Sequence, residues 1–157
     1  MTDQVIDGRR VIDIATLMAG PWIAKRLGDF GADVIKVEQP GIGDHQRRWG
    51  SSKKGVPIFW KSISRNKRSV TLDLHRPGGV RALKRLVAGA DVLIENFRPG
   101  TLARLGLGPE TPHAITPGLI IALVPTPGHT LPSTPPPCPR LTPAANPTLP
   151  PPPAAPP

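Results

Sequence analysis

Basic side chains are concentrated in one segment of the 157-residue chain. Residues 47–68 contain eight lysines and arginines and no aspartate or glutamate, and the whole chain has a formal net charge of +9. A local excess of positive charge attracts partners that carry phosphate, such as a nucleic acid, an anionic membrane surface or a small phosphorylated ligand. The same residues could instead form a solvated surface loop, and the composition leaves both interpretations open.

A second candidate site is the turn at residues 17–21, Leu-Met-Ala-Gly-Pro, after the first predicted strand. Helix N-termini in such turns present free N–H groups to anions. The turn lacks the G-x-G-x-x-G pattern of dinucleotide-binding proteins, although Glu38 ends the next predicted strand about where those proteins place a ribose-binding acid. The missing glycines disfavour that mode of NAD binding, and the turn could simply be a tight one that needs Gly20.

The other reactive side chains show no metal-site pattern. The spacing of His45, His75, His113 and His129 is not that of metal ligands, and Cys138 is the only cysteine. We therefore expect no metal and no disulfide, as is typical of an intracellular protein. No segment is long and apolar enough for a membrane span or a signal peptide, so we expect a cytoplasmic protein.

Short β-branched runs alternate with amphipathic stretches along the first 124 residues, and this pattern predicts an α/β fold of Rossmann-like βαβ units with a mainly parallel sheet. Strands are predicted at residues 10–14, 32–38, 69–74, 91–95 and 119–124. Helices are predicted to begin near Pro21, at Pro77 and after Thr101, which would be an N-cap. Residues 41–67 contain no long predicted element and form the segment expected to face a ligand.

The distribution of proline divides the chain in two. Residues 125–157 hold 15 of the 23 prolines and no aspartate or glutamate. We therefore predict one folded but incomplete domain at residues 1–124 and a disordered proline-rich tail at residues 125–157. The tail is either a true polyproline extension or the product of a shifted reading frame.

Four blocks in order resemble the class III coenzyme A (CoA) transferases, the family of formyl-CoA transferase, carnitine CoA-transferase and α-methylacyl-CoA racemase. They are Ala19-Gly-Pro21, Leu27-Gly-Asp-Phe-Gly-Ala-Asp-Val-Ile-Lys-Val-Glu38, Arg65-Asn-Lys-Arg-Ser-Val-Thr-Leu-Asp-Leu74 and Ala90-Asp-Val-Leu-Ile-Glu-Asn-Phe-Arg-Pro-Gly-Thr-Leu-Ala-Arg-Leu-Gly106. The resemblance covers about residues 6–124. It implies the CoA-binding N-terminal part of a larger domain, in a family whose chains form interlocked homodimers.

The resemblance also implies which residues bind a CoA thioester, which would be a substrate and not a tightly held cofactor. Three residues match the segment that lies near the thioester: Leu17, Met18 and Ala19. The groups that match the surroundings of the adenosine portion are Leu72, Asp73, Leu74 and His75, together with Asn96, Phe97, Arg98 and Arg104. Gln39 departs from the family, because related proteins often have an arginine there for the phosphates, a role that Arg47 or Arg48 could take. The resemblance gives no reason to expect a nucleic-acid or membrane partner.

Transferases of this family are implied to use an aspartate that attacks the acyl-CoA thioester, which forms a mixed anhydride and releases the CoA thiolate. Racemase members instead remove the α-proton. The family aspartate lies beyond the last predicted strand, where this sequence has no acidic residue. We therefore expect no catalytic residue and no turnover by this chain alone. The alternatives are a racemase-type member, a non-catalytic CoA-binding module and a basic nucleic-acid-binding protein.

Overall fold

The computed structural model describes residues 4–98, 100–107 and 116–124. The predicted tail at residues 125–157 lies outside the described residues. The elements follow in chain order: β1 (Arg10–Asp13), α1 (Ala19–Asp29), β2 (Asp33–Glu38), a 3₁₀ helix (His45–Arg48), β3 (Ser52–Lys53), β4 (Val56–Pro57), α2 (Ile58–Ile63), β5 (Lys67–Thr71), α3 (Pro77–Val87), β6 (Val92–Glu95), α4 (Thr101–Arg104) and β7 (Ile120–Leu123). None of these helices is long and apolar enough to cross a bilayer.

Five of the strands form one sheet in the order β5-β2-β1-β6-β7, and every neighbouring pair is parallel. Counted along the chain, these are the third, second, first, fourth and fifth strands of the sheet, which is the strand order of a Rossmann fold. The predicted α/β class and parallel sheet are therefore confirmed. The remaining two strands, β3 and β4, form a small antiparallel hairpin within the segment where no long element was predicted.

Helices cover both faces of the sheet because apolar side chains alternate along the strands. On one face, Leu83 and Val87 of α3 pack against Ile12 of β1 and Leu93 of β6. On the other face, Ala24 of α1 packs in a cluster formed by the following sheet residues: Val11, Val34 and Ile94. These two layers fix the carboxyl ends of β1, β2 and β6 relative to one another.

Two predicted details are wrong. The third strand of the sheet is β5 at Lys67–Thr71, shifted toward the N-terminus from residues 69–74, because the Leu72 N–H donates to Glu38, the last residue of β2, and the chain then turns at Asp73. Thr101 is the first residue of α4 and not its cap, because Gly100 precedes the helix with a φ of 78°. Glycine adopts this left-handed conformation without the cost that a Cβ would add.

Candidate functional site

The crevice beyond the carboxyl ends of β1 and β6 is bridged by one side chain. The strand order reverses between these two neighbours, and ligands of open α/β sheets bind at such points. Here Asn96 Oδ1 accepts a hydrogen bond from the Thr16 N–H at 2.8 Å, and Asn96 Nδ2 donates to the Thr16 carbonyl at 2.8 Å. Both polar groups of the Asn96 side chain are therefore used to hold the turn after β1.

Two lysines with buried side chains donate hydrogen bonds to the backbone of the same turn. Lys36 donates to the Ala15 carbonyl, and Lys67 donates to the Pro21 carbonyl at 2.7 Å. Between these anchors, Leu17 has a φ of 63°, which is uncommon for a residue that has a Cβ. Leu17 and Met18 are exposed, so the turn carries two solvent-exposed apolar side chains on a backbone held at both ends.

The lysines are paired with buried carboxylates. Lys67 Nζ lies 3.0 Å from Asp13 Oδ2, and Lys36 Nζ lies 3.7 Å from Asp13 Oδ1 and 3.2 Å from Asp44 Oδ2. Asp13 and Lys36 occupy paired positions of β1 and β2, so the sheet register brings them together. Burial lowers the pKa of Lys67, although Asp13 opposes that change. This network is structural, because its charges satisfy one another and the backbone.

Glu38 does not occupy the role of a ribose-binding acid. Its side chain is buried and accepts two hydrogen bonds from Arg47, at 2.6 and 2.8 Å, one from Ser69 at 2.5 Å and one from the Asp44 N–H at 2.9 Å. Burial opposes ionisation, but these four hydrogen bonds outweigh it and lower the pKa of Glu38 to about 2. With both carboxylate oxygens occupied, Glu38 has no free acceptor for a ribose hydroxyl.

A cavity of about 180 Å³ opens at the carboxyl edge of the sheet. Its lining is mostly apolar and comes from the ends of four strands and from α4. The residues that line it are Ile14, Thr16, Val37, Glu38, Gln39, Leu72, Leu74, His75, Phe97, Thr101 and Leu105. An apolar segment of a ligand would be shielded from water here.

A larger cavity of about 710 Å³ lies beside the first, and Leu74, His75, Thr101 and Leu105 line both. Its other lining residues come from the start of α3 and from α4 and include three arginines: Arg76, Arg81 and Arg104. The shared residues make the two cavities one groove with an apolar end and a cationic end. Such a groove suits a ligand that is apolar at one end and phosphorylated at the other.

The structure brings some of the predicted site residues together and not others. The groove is lined by five of them: Leu72, Leu74, His75, Phe97 and Arg104. Six others do not line either cavity: Leu17, Met18, Ala19, Asp73, Asn96 and Arg98. Asp73 instead accepts hydrogen bonds from the His75 N–H and from Arg76, which orients the entry to α3.

The cationic segment at residues 47–68 is partly neutralised by acids elsewhere in the chain. Four of its eight basic residues form ion pairs: Arg47 with Glu38, Arg65 with Asp29, Lys67 with Asp13 and Arg68 with Asp33. The Arg47 guanidinium also lies 4.2 Å from the centre of the Trp60 ring. Arg47 is thus held between Glu38 and Trp60. This arrangement argues against the expectation that Arg47 takes the phosphate-binding role of the arginine that related proteins often have at the position of Gln39.

Sequence reasoning missed several residues that shape the site. Lys36 lies in the apolar strand β2, and a lysine inside such a run was the available signal that its charge is buried and paired. Lys67 stands next to other basic residues at the start of β5 and gave no such signal. Thr16 gives no signal, because its backbone and not its side chain makes the contact with Asn96. Arg76 and Arg81 gave no signal beyond their charge. Among the described residues, no group of three or more His, Cys, Asp or Glu could hold a metal ion.

Comparison with known proteins gives consistent matches over most of the chain. The profile of CoA-transferase family III matches residues 6–138. Succinyl-CoA--D-citramalate CoA-transferase of Chloroflexus aurantiacus is 49% identical over 120 residues, which cover 76% of this chain and 30% of that protein. Human succinyl-CoA:glutarate CoA-transferase is 40% identical over 126 residues, or 80% of this chain and 29% of that protein.

A solved structure agrees with the sequence matches. The crystal structure of a CAIB/BAIF family protein from Brucella suis superposes with a TM-score of 0.77 at 42% identity, over 83% of this chain and 36% of that chain. This chain spans about 30% of the length of the curated relatives. The profile match, the identities and the shared fold together show that the chain belongs to CoA-transferase family III.

Proposed function

We propose that the described residues form the part of a CoA-transferase that binds the CoA thioester, and that the groove formed by the ends of β1, β2, β5 and β6 with α3 and α4 receives it. The observation that carries this proposal is the continuity of the apolar cavity with the arginine-lined cavity through Leu74, His75, Thr101 and Leu105. CoA combines a flexible pantetheine arm with a phosphorylated adenosine. A groove with one apolar and one cationic end suits both portions.

Individual residues supply the recognition. Arg104 and Arg81, on α4 and α3, offer guanidinium donors that pair with phosphate oxygens in a fork geometry. The first turn of α3, which begins at Pro77, adds N–H groups that no side chain caps. Phe97, half-buried in the apolar cavity, offers a ring face for the adenine or the pantetheine arm.

The thioester end would lie toward the turn that carries Leu17, Met18 and Ala19. The backbone on either side of these three residues is held by Asn96, Lys36 and Lys67, as described above. We propose that Asn96 acts by fixing this turn and not by offering its own amide to the ligand. Asp73 and Arg98 stay predicted contacts of the adenosine portion.

We propose that the acyl transfer itself needs a carboxylate that the described residues do not supply. The carboxylates nearest the crevice are engaged: Asp13 with Lys67, Glu38 with Arg47, and Glu95 with the Phe97 N–H at 2.6 Å. A nucleophilic carboxylate must be free to attack the thioester carbonyl. This chain alone is therefore expected to bind a CoA thioester without transferring its acyl group.

The compared relatives guide the choice of ligand. Both curated relatives described above are named for transfer of CoA from succinyl-CoA. Succinyl-CoA is therefore the first thioester to test, and transfer, not racemisation, is the chemistry that we propose for the longer enzyme. Interlocked homodimerisation and a cytoplasmic location stay predictions for this chain.

The direct test is a pair of measurements on the purified 157-residue chain. Calorimetric titration with CoA and with succinyl-CoA should give saturable binding. Incubation with succinyl-CoA and an acceptor acid such as glutarate should give no new thioester by chromatography. Absence of binding at millimolar CoA would overturn the binding proposal, whereas detectable transfer would overturn the proposal that the catalytic carboxylate is missing.

A further inference from the structure

The three arginines of the larger cavity differ in what their guanidinium groups already contact. Arg76 Nε donates to Asp73 Oδ2 at 3.1 Å, and Arg104 Nη2 donates to the Thr101 hydroxyl at 3.2 Å. Arg81 makes no hydrogen bond or ion pair within the described part of the chain, although it lines the same cavity. Its five N–H donors are therefore available to a ligand without the loss of an existing contact.

The Arg81 side chain extends back along α3 toward the start of the helix. A Cβ added to Gly78 would lie 4.0 Å from Arg81 Nη2, with no other heavy atom of a neighbouring group within that distance. Long side chains of a helix commonly point toward its N-terminus in this way. The guanidinium thus lies beside the first turn of α3, which itself lines the larger cavity through Pro77.

The three arginines also differ in their position along the groove. Arg76 directly follows His75, which lines both cavities. Arg104 directly precedes Leu105, which also lines both. Arg81 adjoins no shared residue in the sequence and lines the larger cavity alone. Two of the arginines are therefore neighbours of the junction between the cavities, and the third belongs to the cationic end.

CoA carries phosphate in two separate places. A pyrophosphate joins the pantetheine arm to the ribose, and a 3′-phosphate branches from that ribose. Thr16 lines the apolar cavity and directly precedes the turn at Leu17 toward which the thioester end is proposed to lie, so the pantetheine arm belongs in the apolar cavity. The pyrophosphate then reaches the junction of the two cavities, and the 3′-phosphate lies beyond it in the larger cavity.

We propose that Arg81 binds the ribose 3′-phosphate of CoA and makes this chain bind CoA in preference to 3′-dephospho-CoA. This inference rests on the proposed function, because it assigns one phosphate of the ligand that the groove receives. A phosphate monoester carries about two negative charges near neutral pH, more than either phosphate of the pyrophosphate link. A guanidinium with no other partner is suited to pair with it through two parallel hydrogen bonds.

Calorimetric titration of the full 157-residue chain with CoA and with 3′-dephospho-CoA tests the proposal, because the two compounds differ only in the 3′-phosphate. The unmodified chain should bind CoA about 10- to 100-fold more tightly than 3′-dephospho-CoA. In Arg81→Gln the affinity for CoA should fall close to the affinity for 3′-dephospho-CoA, which itself should change little. Arg81 is exposed and makes no contact of its own, so this variant should fold as the unmodified chain does.

The matched control is Arg85→Gln, which removes the same charge from an exposed position of the same helix outside the cavity. It should keep the full preference for CoA, because a distant charge acts on both compounds through a screened field.

Three results would contradict the inference. Equal affinity of the unmodified chain for CoA and 3′-dephospho-CoA would overturn it and leave the proposed function in place. A preference for CoA that persists in Arg81→Gln, or that is lost equally in Arg85→Gln, would overturn the assignment to Arg81. Absence of saturable binding of both compounds at millimolar concentration would overturn the proposed function and this inference together.

Discussion

The Asn96 side chain and the Thr16 backbone form a reciprocal pair of hydrogen bonds, each 2.8 Å long, across the point where the strand order of the sheet reverses. This pair joins the end of β6 to the turn after β1. The turn carries the exposed Leu17 and Met18, and it is also held by Lys36 and Lys67. The position of the proposed thioester-binding turn therefore depends on side chains from β2, β5 and the end of β6, which the sequence of the turn itself does not indicate.

Replacement of Asn96 should loosen this turn. Asn96→Ala leaves the partly buried Thr16 N–H and C=O without their partner, which should lower the free energy of unfolding by about 1–3 kcal/mol. Affinity for CoA should fall as well, because the turn is no longer fixed. Urea denaturation and calorimetric titration measure the two effects. The matched control is Thr16→Ala, because it changes the same turn but keeps the Thr16 backbone groups bonded to Asn96; equal losses of stability in both variants would contradict the assigned role of Asn96.

Two adjacent glycines at the start of α3 should respond in opposite ways to alanine. A Cβ at Gly79 would lie 2.0 Å from the Asp73 carbonyl oxygen, whereas a Cβ at Gly78 would meet only the Arg81 side chain, at 4.0 Å. Gly79→Ala should therefore destabilise the chain by about 2 kcal/mol or more, because backbone must move. Gly78→Ala should be neutral or should stabilise by up to about 1 kcal/mol, since alanine favours the helix.

Thermal unfolding of the two glycine variants gives the comparison directly. A melting temperature that is unchanged in the Gly79 variant, or that falls equally in both variants, would contradict the close packing of α3 against Asp73. A strongly lowered melting temperature in the Gly79 variant alone is the expected result.

The ionised Glu38 side chain should make the free energy of unfolding depend on pH in the acid range. Its pKa is about 2 in the folded chain against a reference value of 4.5. Because the folded pKa is lower, the stabilisation is fully present above pH 4.5 and is lost as the pH falls toward 2. The difference corresponds to about 3 kcal/mol. In Glu38→Gln the decline of unfolding free energy between pH 5 and pH 2 should be smaller by about that amount.

Measurement of unfolding free energy by urea titration across this pH range tests the prediction. Asp7→Asn, which changes an acid at the exposed N-terminal turn, is the control and should leave the slope nearly unchanged. An identical acid dependence in the wild-type and Glu38→Gln chains would contradict the network around Glu38.

Replacement of a buried lysine should lower the free energy of unfolding more than replacement of an exposed one. Lys67→Ala leaves Asp13 with only Lys36 as a charged partner and leaves the Pro21 carbonyl without its donor. We expect a destabilisation of about 3–5 kcal/mol, because a buried charge becomes uncompensated. The exposed Lys61, in α2, is the control, and Lys61→Ala should change stability by less than about 0.5 kcal/mol. Denaturant unfolding that shows equal effects would contradict the buried network.

The fold could be predicted from the sequence because its signals are local. Runs such as residues 10–14 and 91–95 are β-branched, and Pro77 and Gly89 mark the start and end of α3, so the alternation of strands and helices is readable. The end of β5 could not be predicted, because Leu72 and Leu74 continue the apolar alternation beyond Thr71, the last residue of the strand. That boundary depends on the turn at Asp73, a tertiary feature.

The candidate site was predictable only where the resemblance or a local pattern pointed to it. The motif containing Phe97 and Arg104 led to residues that line the groove. The pairing of Arg47 with Glu38, nine positions apart in the sequence, and that of Lys67 with Asp13 depend on how strands and loops pack. These ion pairs neutralise part of a segment that is uniformly cationic in the sequence.

The most direct test of the account compares CoA binding by Arg104→Ala and Arg85→Ala chains by calorimetry. Arg104 lines the cationic cavity, whereas Arg85 is an exposed residue of α3 that does not. Loss of a guanidinium that pairs with phosphate should weaken CoA binding about 10- to 100-fold in the Arg104 variant and leave it unchanged in the Arg85 variant. Equal affinities of the two variants, or no binding of CoA by the unmodified chain at millimolar concentration, would contradict the assignment of this groove as the CoA site.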